Sequence, residues 1–257
     1  IEEVGSEVKL FKVGDRVTHA SMPIGAYSEK QIMPEEKLVS VPDGVSNEVA
    51  SCITLKGITA EYLLHRAYPL KKGDKVLYHA AAGALGQILC PWANALGAEV
   101  IGTVGSKAKE EIAKKNGCHH VINYSEKDFV KEVEKTFGKN SLDVVYDGVG
   151  SKTFKGSIET LKIRGMMVAF GNASGYVETL DIKKDINAKG LFFTRPSIAH
   201  YTVKREELVE SAKKVFDAVL TKKFKIEISK RYPLKNAAQA HKDLENRLLT
   251  GPAVIIP

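Results

Sequence analysis

Hydrophobic positions change their period near residue 74. From there on, short apolar runs alternate with amphipathic stretches. Lys75-Val76-Leu77-Tyr78-His79 reads as a buried strand. Leu85, Ile88, Leu89, Trp92, Ala95 and Leu96 then recur at i, i+3, i+4 and i+7, the spacing of an amphipathic helix, and Gly97 caps it. Glu99-Val100-Ile101-Gly102-Thr103 is the next strand. The pattern predicts a helix near 107–116, stopped by Gly117, a strand near 120–123 and a helix near 126–137. It continues with a strand at 142–146, a helix near 151–161, and strands near 166–170 and 190–194. Two helices near 204–221 and 236–248 and a last strand, Ala253-Val254-Ile255-Ile256, complete it. Strands that are apolar throughout and alternate with helices imply a parallel sheet covered on both faces, an α/β fold.

Residues 1 to about 55 have a different character. Val13-Gly14-Asp15-Arg16-Val17 reads as a turn and a strand. Pro23, Gly25, Pro34, Pro42 and Gly44 punctuate the rest. Short strands are expected there, with no long helix before about Asn47. Ile1 is not a start methionine, and Glu2-Glu3-Val4-Gly5 reads as a turn within a domain, so an N-terminal part is expected to be missing.

Composition narrows the class. Of 257 residues, 44% are hydrophobic and 27% charged, the balance of a globular protein with a sizeable core. No apolar run approaches the ~18 residues of a membrane span. Three dispersed cysteines, Cys52, Cys90 and Cys118, argue against a disulfide framework and for a reducing compartment, the cytoplasm. The net charge of +7 suits an anionic cofactor and leaves nucleic acid as an alternative. The lysines are spread over helix faces beside glutamates, however, as at Glu132, Glu134 and Lys135.

Ala81-Ala82-Gly83-Ala84-Leu85-Gly86 follows the first strand of the alternating region and opens its helix. This is an A-x-G-x-x-G variant of the dinucleotide fingerprint. Gly83 lets the backbone approach a pyrophosphate, and Gly86 lets the helix pack against the strand. The helix start offers free N–H groups to phosphate. Pro91 falls inside this helix and is expected to kink it beyond the first turn.

The end of the second strand chooses the cofactor. An NAD site places an acid there for the ribose 2′-hydroxyl. Here the chain reads Thr103-Val104-Gly105-Ser106-Lys107-Ala108-Lys109. A hydroxyl and two lysines suit a 2′-phosphate instead, and NADPH is expected. Asp147-Gly148-Val149-Gly150 and Phe170-Gly171-Asn172 follow later strands. They should border the nicotinamide at the same sheet edge.

No metal chemistry is expected. Cys118-His119-His120 lies at a helix-to-strand turn without a fourth ligand nearby, and no G-x-S-x-G nucleophile motif occurs.

With these residues assembled, the chain resembles the medium-chain dehydrogenase/reductase superfamily, and within it the quinone oxidoreductases of the zeta-crystallin type. The resemblance rests on Gly14-Asp15-Arg16-Val17, Leu55-Lys56-Gly57-Ile58-Thr59-Ala60, His79-Ala80-Ala81-Ala82-Gly83, Ile122-Asn123-Tyr124, Phe170-Gly171-Asn172, Thr194-Arg195-Pro196-Ser197 and Tyr232-Pro233-Leu234. It implies a Rossmann doubly wound parallel sheet plus a GroES-like β-rich catalytic domain. The expected division is 1–55 GroES-like, 56–190 Rossmann and 191–257 returning to the catalytic domain. The resemblance places Lys109 and Tyr124 around the adenosine 2′-phosphate with Ser106 beside them, and Arg247 on the cofactor side. It places Thr59 near the nicotinamide, and the backbone of Phe193, Thr194 and Arg195 facing its carboxamide. Cys52 matches one zinc-ligand position of zinc alcohol dehydrogenases and is read as a small buried residue. The implied activity is metal-free reduction of a quinone by NADPH, by a homodimer and without a dedicated acid. The alternatives are reduction of an enone or alkenal on the same scaffold, and an RNA-binding or crystallin-like role.

Overall fold

The computed structural model describes all residues of the chain except Ser21, Met22 and Arg247. Six parallel strands form its central sheet: β3 (Lys75–His79), β4 (Glu99–Val104), β5 (His120–Asn123), β6 (Leu142–Asp147), β7 (Leu161–Ala169) and β8 (Phe192–Thr194). Their spatial order is β5-β4-β3-β6-β7-β8. The order reverses between β3 and β6, which makes this the doubly wound Rossmann arrangement, with its crevice at that switch point.

The alternation of side chains along these strands divides the core in two. Val76, Tyr78, Val100, Val144, Tyr146 and Val168 face one cluster. There they meet α1 (Asn47–Tyr62), α2 (Gly86–Ala95) and α7 (Arg205–Leu220). Leu77, Ile101, Ile122, Val145 and Met167 face the other. That face is covered by α4 (Phe129–Phe137) and α5 (Phe154–Thr160). Leu77, Ile101, Val144 and Val145 are fully buried, each contributing about 1.5–3 kcal/mol of transfer free energy. Continuous apolar strands therefore follow from burial on both faces.

Local rules set the helix ends. Ser46 caps α1 by accepting from the amide of Val49. Asp128 accepts from the amides of Val130 and Lys131, so α4 starts at Phe129 rather than near 126. Helix α2 continues through Pro91 as one element; the proline costs a hydrogen bond without ending the helix. Strand β7 begins at Leu161, earlier than the apolar pattern suggests, and passes through Arg164 at φ 61°. Two irregular turns of π-type, Leu63–Ala67 and Ile182–Asn187, lie outside the sequence pattern.

The N-terminal segment carries β1 (Val17–Thr18) paired antiparallel with β2 (Val39–Ser40). The C-terminal segment returns to it. Arg205 donates to the carbonyls of Glu35, Glu36 and Leu38, and Arg231 forms a two-point ion pair with Glu48. Strands β9 (Lys230–Pro233) and β10 (Ala253–Ile256) pair in parallel beside α8 (Ala237–Glu245). Gly57 brings α1 against α7: a Cβ there would lie 2.4 Å from Val215. Among the described residues no helix is long and apolar enough to cross a membrane.

Candidate functional site

The carboxyl ends of β3, β4, β6 and β7 converge at the switch point. Past β3 the chain turns sharply at Ala80, whose φ is 63°. Gly83 is exposed at the tip, and Ala84 and Leu85 are half-buried. The amides of Ala84, Leu85 and Gly86 make no hydrogen bond among the described residues, whereas Gly83 and Gln87 donate to Ala80 and Gly83. Three free N–H groups at a helix start form a ready anion cradle. Gly86 allows it: a Cβ there would lie 2.3 Å from the Ala81 carbonyl oxygen.

Beyond β4, Gly105 lies against Tyr124, and the Lys109 amide donates to the Ser106 carbonyl at 3.0 Å. A Cβ on Gly105 would lie 2.6 Å from the Tyr124 hydroxyl, and Ser125 donates to the Gly105 carbonyl at 2.9 Å. Ser106 precedes α3 (Lys107–Lys115) in extended conformation, and its side chain does not cap the helix. Among the described residues Lys107 and Lys109 have no salt-bridge partner. A hydroxyl, a phenol and unpaired ammonium groups here suit a phosphate dianion.

The loops after β6 and β7 lie against each other. A Cβ on Gly171 would lie 2.4 Å from the Gly148 carbonyl, and one on Gly148 would meet the Phe170 ring at 2.8 Å. Phe170 stacks on Tyr78 at 6.2 Å, and Asn172 follows half-buried. At the end of β8, Phe193 packs edge-on to Phe154, Thr194 pairs with Val168, and Arg195 is exposed.

Thr59 is half-buried on α1 and donates to the Leu55 carbonyl. One turn on lies Tyr62, a buried residue that the sequence reading did not single out. Its ring stacks on Tyr201 at 4.5 Å. Burial, followed by Tyr201, pushes its hydroxyl up to about 12, opposed by Arg195 and by a hydrogen bond with Thr59. Tyr62 sits one helical turn beyond Thr59 on α1. Its i+3 spacing from Thr59 was the available signal. Arg247 lies outside the described residues.

The tempting metal cluster is occupied otherwise. His119 accepts from the Val100 amide, His120 pairs with Glu99, and Cys118 is buried against Cys90. Among the described residues no group of three or more His, Cys, Asp or Glu is arranged to hold a metal ion. Burial raises the thiol pKa of Cys52.

Comparison with known proteins agrees with this geometry. A family model described as zinc-binding dehydrogenase matches residues 84–220. The chain is 44% identical to 2-haloacrylate reductase of Burkholderia sp over 260 residues, covering 100% of this chain and 78% of that protein. It is 42% identical to quinone oxidoreductase 1 of Escherichia coli (strain K12) over 260 residues, covering 100% and 79%. The crystal structure of Escherichia coli quinone oxidoreductase complexed with NADPH superposes with a TM-score of 0.95, at 42% identity, covering 100% of this chain and 79% of that one. The crystal structure of 2-haloacrylate reductase gives 0.93 at 44% identity, with 100% and 80% covered. The chain belongs to the zinc-binding dehydrogenase family and, within the medium-chain dehydrogenase/reductase superfamily, to the quinone oxidoreductases. Its fold is the Rossmann sheet described above together with a GroES-like β-rich part.

Proposed function

We propose that this chain reduces quinones with NADPH and without a metal. The observation that carries the reading is the switch-point crevice, with three amides at its glycine loop free among the described residues and, past β4, Lys107 and Lys109 without a salt-bridge partner among them. The name of the NADPH-bound relative supports the same cofactor. Bound there, NADPH supplies the hydride. The chain's own residues bind and orient it. Gly83, Ala84, Leu85 and Gly86 hold the pyrophosphate, and Gly105, Ser106, Lys109 and Tyr124 hold the 2′-phosphate. Thr59, Phe170, Gly171, Asn172 and the backbone of Phe193, Thr194 and Arg195 border the nicotinamide, and Tyr62 joins them. A quinone is already a good acceptor, so positioning and exclusion of water suffice.

The proposed division stays 1–55, 56–190 and 191–257, with α1 spanning its first boundary and β8 reaching the sheet from the third segment. A cytoplasmic homodimer completes it. Strand β8 is an open sheet edge with Phe192 60% exposed, the kind of edge that a second copy covers.

Steady-state turnover with NADPH and a simple quinone tests the activity. The second reading is reduction of an electron-poor carbon–carbon double bond, favoured by the 44% identity to 2-haloacrylate reductase. Turnover of a 2-haloacrylate or an enone above the quinone would select it. An RNA-binding role has only the net charge of +7 in its favour.

A further inference from the structure

Behind the crevice lies a chain of polar groups that the proposed cofactor contacts do not use. His79 ends β3, Thr103 lies in β4, Asp147 ends β6, and Ser157 lies in α5. All four are nine-tenths buried or more. His79 Nδ1 is 2.9 Å from Thr103 Oγ1, and His79 Nε2 is 2.9 Å from Ser157 Oγ. Ser157 Oγ is in turn 3.1 Å from Asp147 Oδ2 and 2.8 Å from the Thr153 carbonyl. Asp147 also accepts from the amides of Val149 and Gly150, at 2.8 and 3.0 Å, and from the Thr153 hydroxyl.

Proton counting fixes the roles. A carboxylate and a carbonyl can only accept, so the single Ser157 proton points to one of them. Ser157 Oγ must then accept from His79, and the imidazole carries its proton on Nε2. Nδ1 is left to accept from the Thr103 hydroxyl. Burial favours this neutral form by lowering the pKa of His79, with Asp147 opposing. The residue types are those of a nucleophilic triad, but the hydroxyl sits between the other two and is fully buried. It cannot meet a substrate.

The chain begins and ends at the roots of the loops that line the crevice. His79 immediately precedes Ala80 and the glycine loop. Thr103 accepts the Ala81 amide through its own carbonyl at 3.0 Å. Asp147 folds the 148–153 loop around its carboxylate, and that loop supports Phe170 and Gly171. Four buried polar groups stay favourable only with every partner in place. Apolar residues would fill the same space without linking the loops.

We propose that Asp147, Ser157 and His79 are positioning residues that hold the glycine loop and the 148–153 loop in one register for the pyrophosphate–nicotinamide half of the dinucleotide. This rests on the NADPH reading above. The adenosine end, at Gly105, Lys109 and Tyr124, lies outside the network.

The test compares NADPH with adenosine 2′-monophosphate, which carries the adenosine and the 2′-phosphate but no part of the pyrophosphate. Wild type, Ser157→Ala and Asp147→Asn are titrated calorimetrically, well below their melting temperatures. Both variants are expected to bind NADPH about tenfold more weakly, with the 2′-monophosphate within about twofold of wild type. Nitrogen NMR of His79 gives an independent readout, serving also where Asp147→Asn fails to fold. The Nε2–H form is expected in wild type, with loss of that preference in Ser157→Ala. Equal losses for both ligands, unchanged NADPH affinity, or an Nδ1–H imidazole in wild type would overturn the proposal alone. Wild type that binds neither ligand would overturn the cofactor reading and this inference with it.

Discussion

A Cβ placed on Gly86 would lie 2.3 Å from the carbonyl oxygen of Ala81. Neither atom can yield cheaply, because one belongs to the first turn of α2 and the other to the loop after β3. The closeness brings the helix start, with its free amides, to the crevice. Gly86→Ala must push α2 away from the loop, at a cost of roughly 1–3 kcal/mol in stability. The melting temperature should fall, and NADPH affinity should fall by more than ~10-fold as the three amides lose their common aim. Thermal unfolding and calorimetric titration check the two effects separately.

Lys109, proposed for the other end of the dinucleotide, is half-buried and has no salt-bridge partner among the described residues. Lys109→Ala should weaken NADPH by about tenfold through loss of one charge-assisted contact. NADH affinity should hardly change, since that dinucleotide has no 2′-phosphate. Parallel titrations with both nucleotides read out the difference. An equal loss for both would place Lys109 elsewhere in the site.

Glu61 predicts a stability effect. Its carboxylate is fully buried and meets Arg66 at 2.9 Å, Lys214 at 3.3 Å and the Ser211 hydroxyl at 2.7 Å. Arg66 also donates to the Tyr201 carbonyl and lies over the Tyr201 ring, so the cluster tethers the segment that stacks on Tyr62. Removing one partner leaves a buried charge poorly matched. Arg66→Ala is expected to destabilise the protein by about 3 kcal/mol, measured by urea unfolding. Lys214→Ala should cost less, because its ammonium is more exposed than the Arg66 guanidinium.

Asp243 makes stability depend on pH. Lys230, Tyr232 and Gln239 hydrogen-bond its carboxylate and hold its pKa at about 2, below the ordinary 3.8. The folded pKa is depressed, so this contribution is present above about pH 4 and is lost as the pH falls through about 2. Asp243→Asn should therefore lower the melting temperature at pH 7, and the gap to wild type should close between pH 4 and pH 2. A gap that stays constant over that range would mean that the carboxylate charge is not what stabilises β9 and α8.

The alternating half of the fold was legible in the sequence because two-sided burial writes itself into composition. β3 spans Lys75–His79 as the apolar run suggests, and β5, α7 and β10 fall close to their expected ranges. The glycine loop was legible for a similar reason, since one residue type satisfies each backbone demand. What escaped depends on partners far away in the chain. The start of β7 is set by pairing of Leu161 with Leu142. Tyr62 owes its packing to Tyr201, which lies more than a hundred residues on. The His79–Ser157–Asp147 chain spans three elements, and nothing local to any one residue announces it.

The central claim is a dinucleotide site chosen for the 2′-phosphate. Calorimetric titration of the wild-type chain with NADPH and with NADH tests it most directly. NADPH is expected to bind at least about tenfold more tightly, with the preference shrinking at high salt. Equal affinities, tighter NADH binding, or no binding of either nucleotide would contradict it.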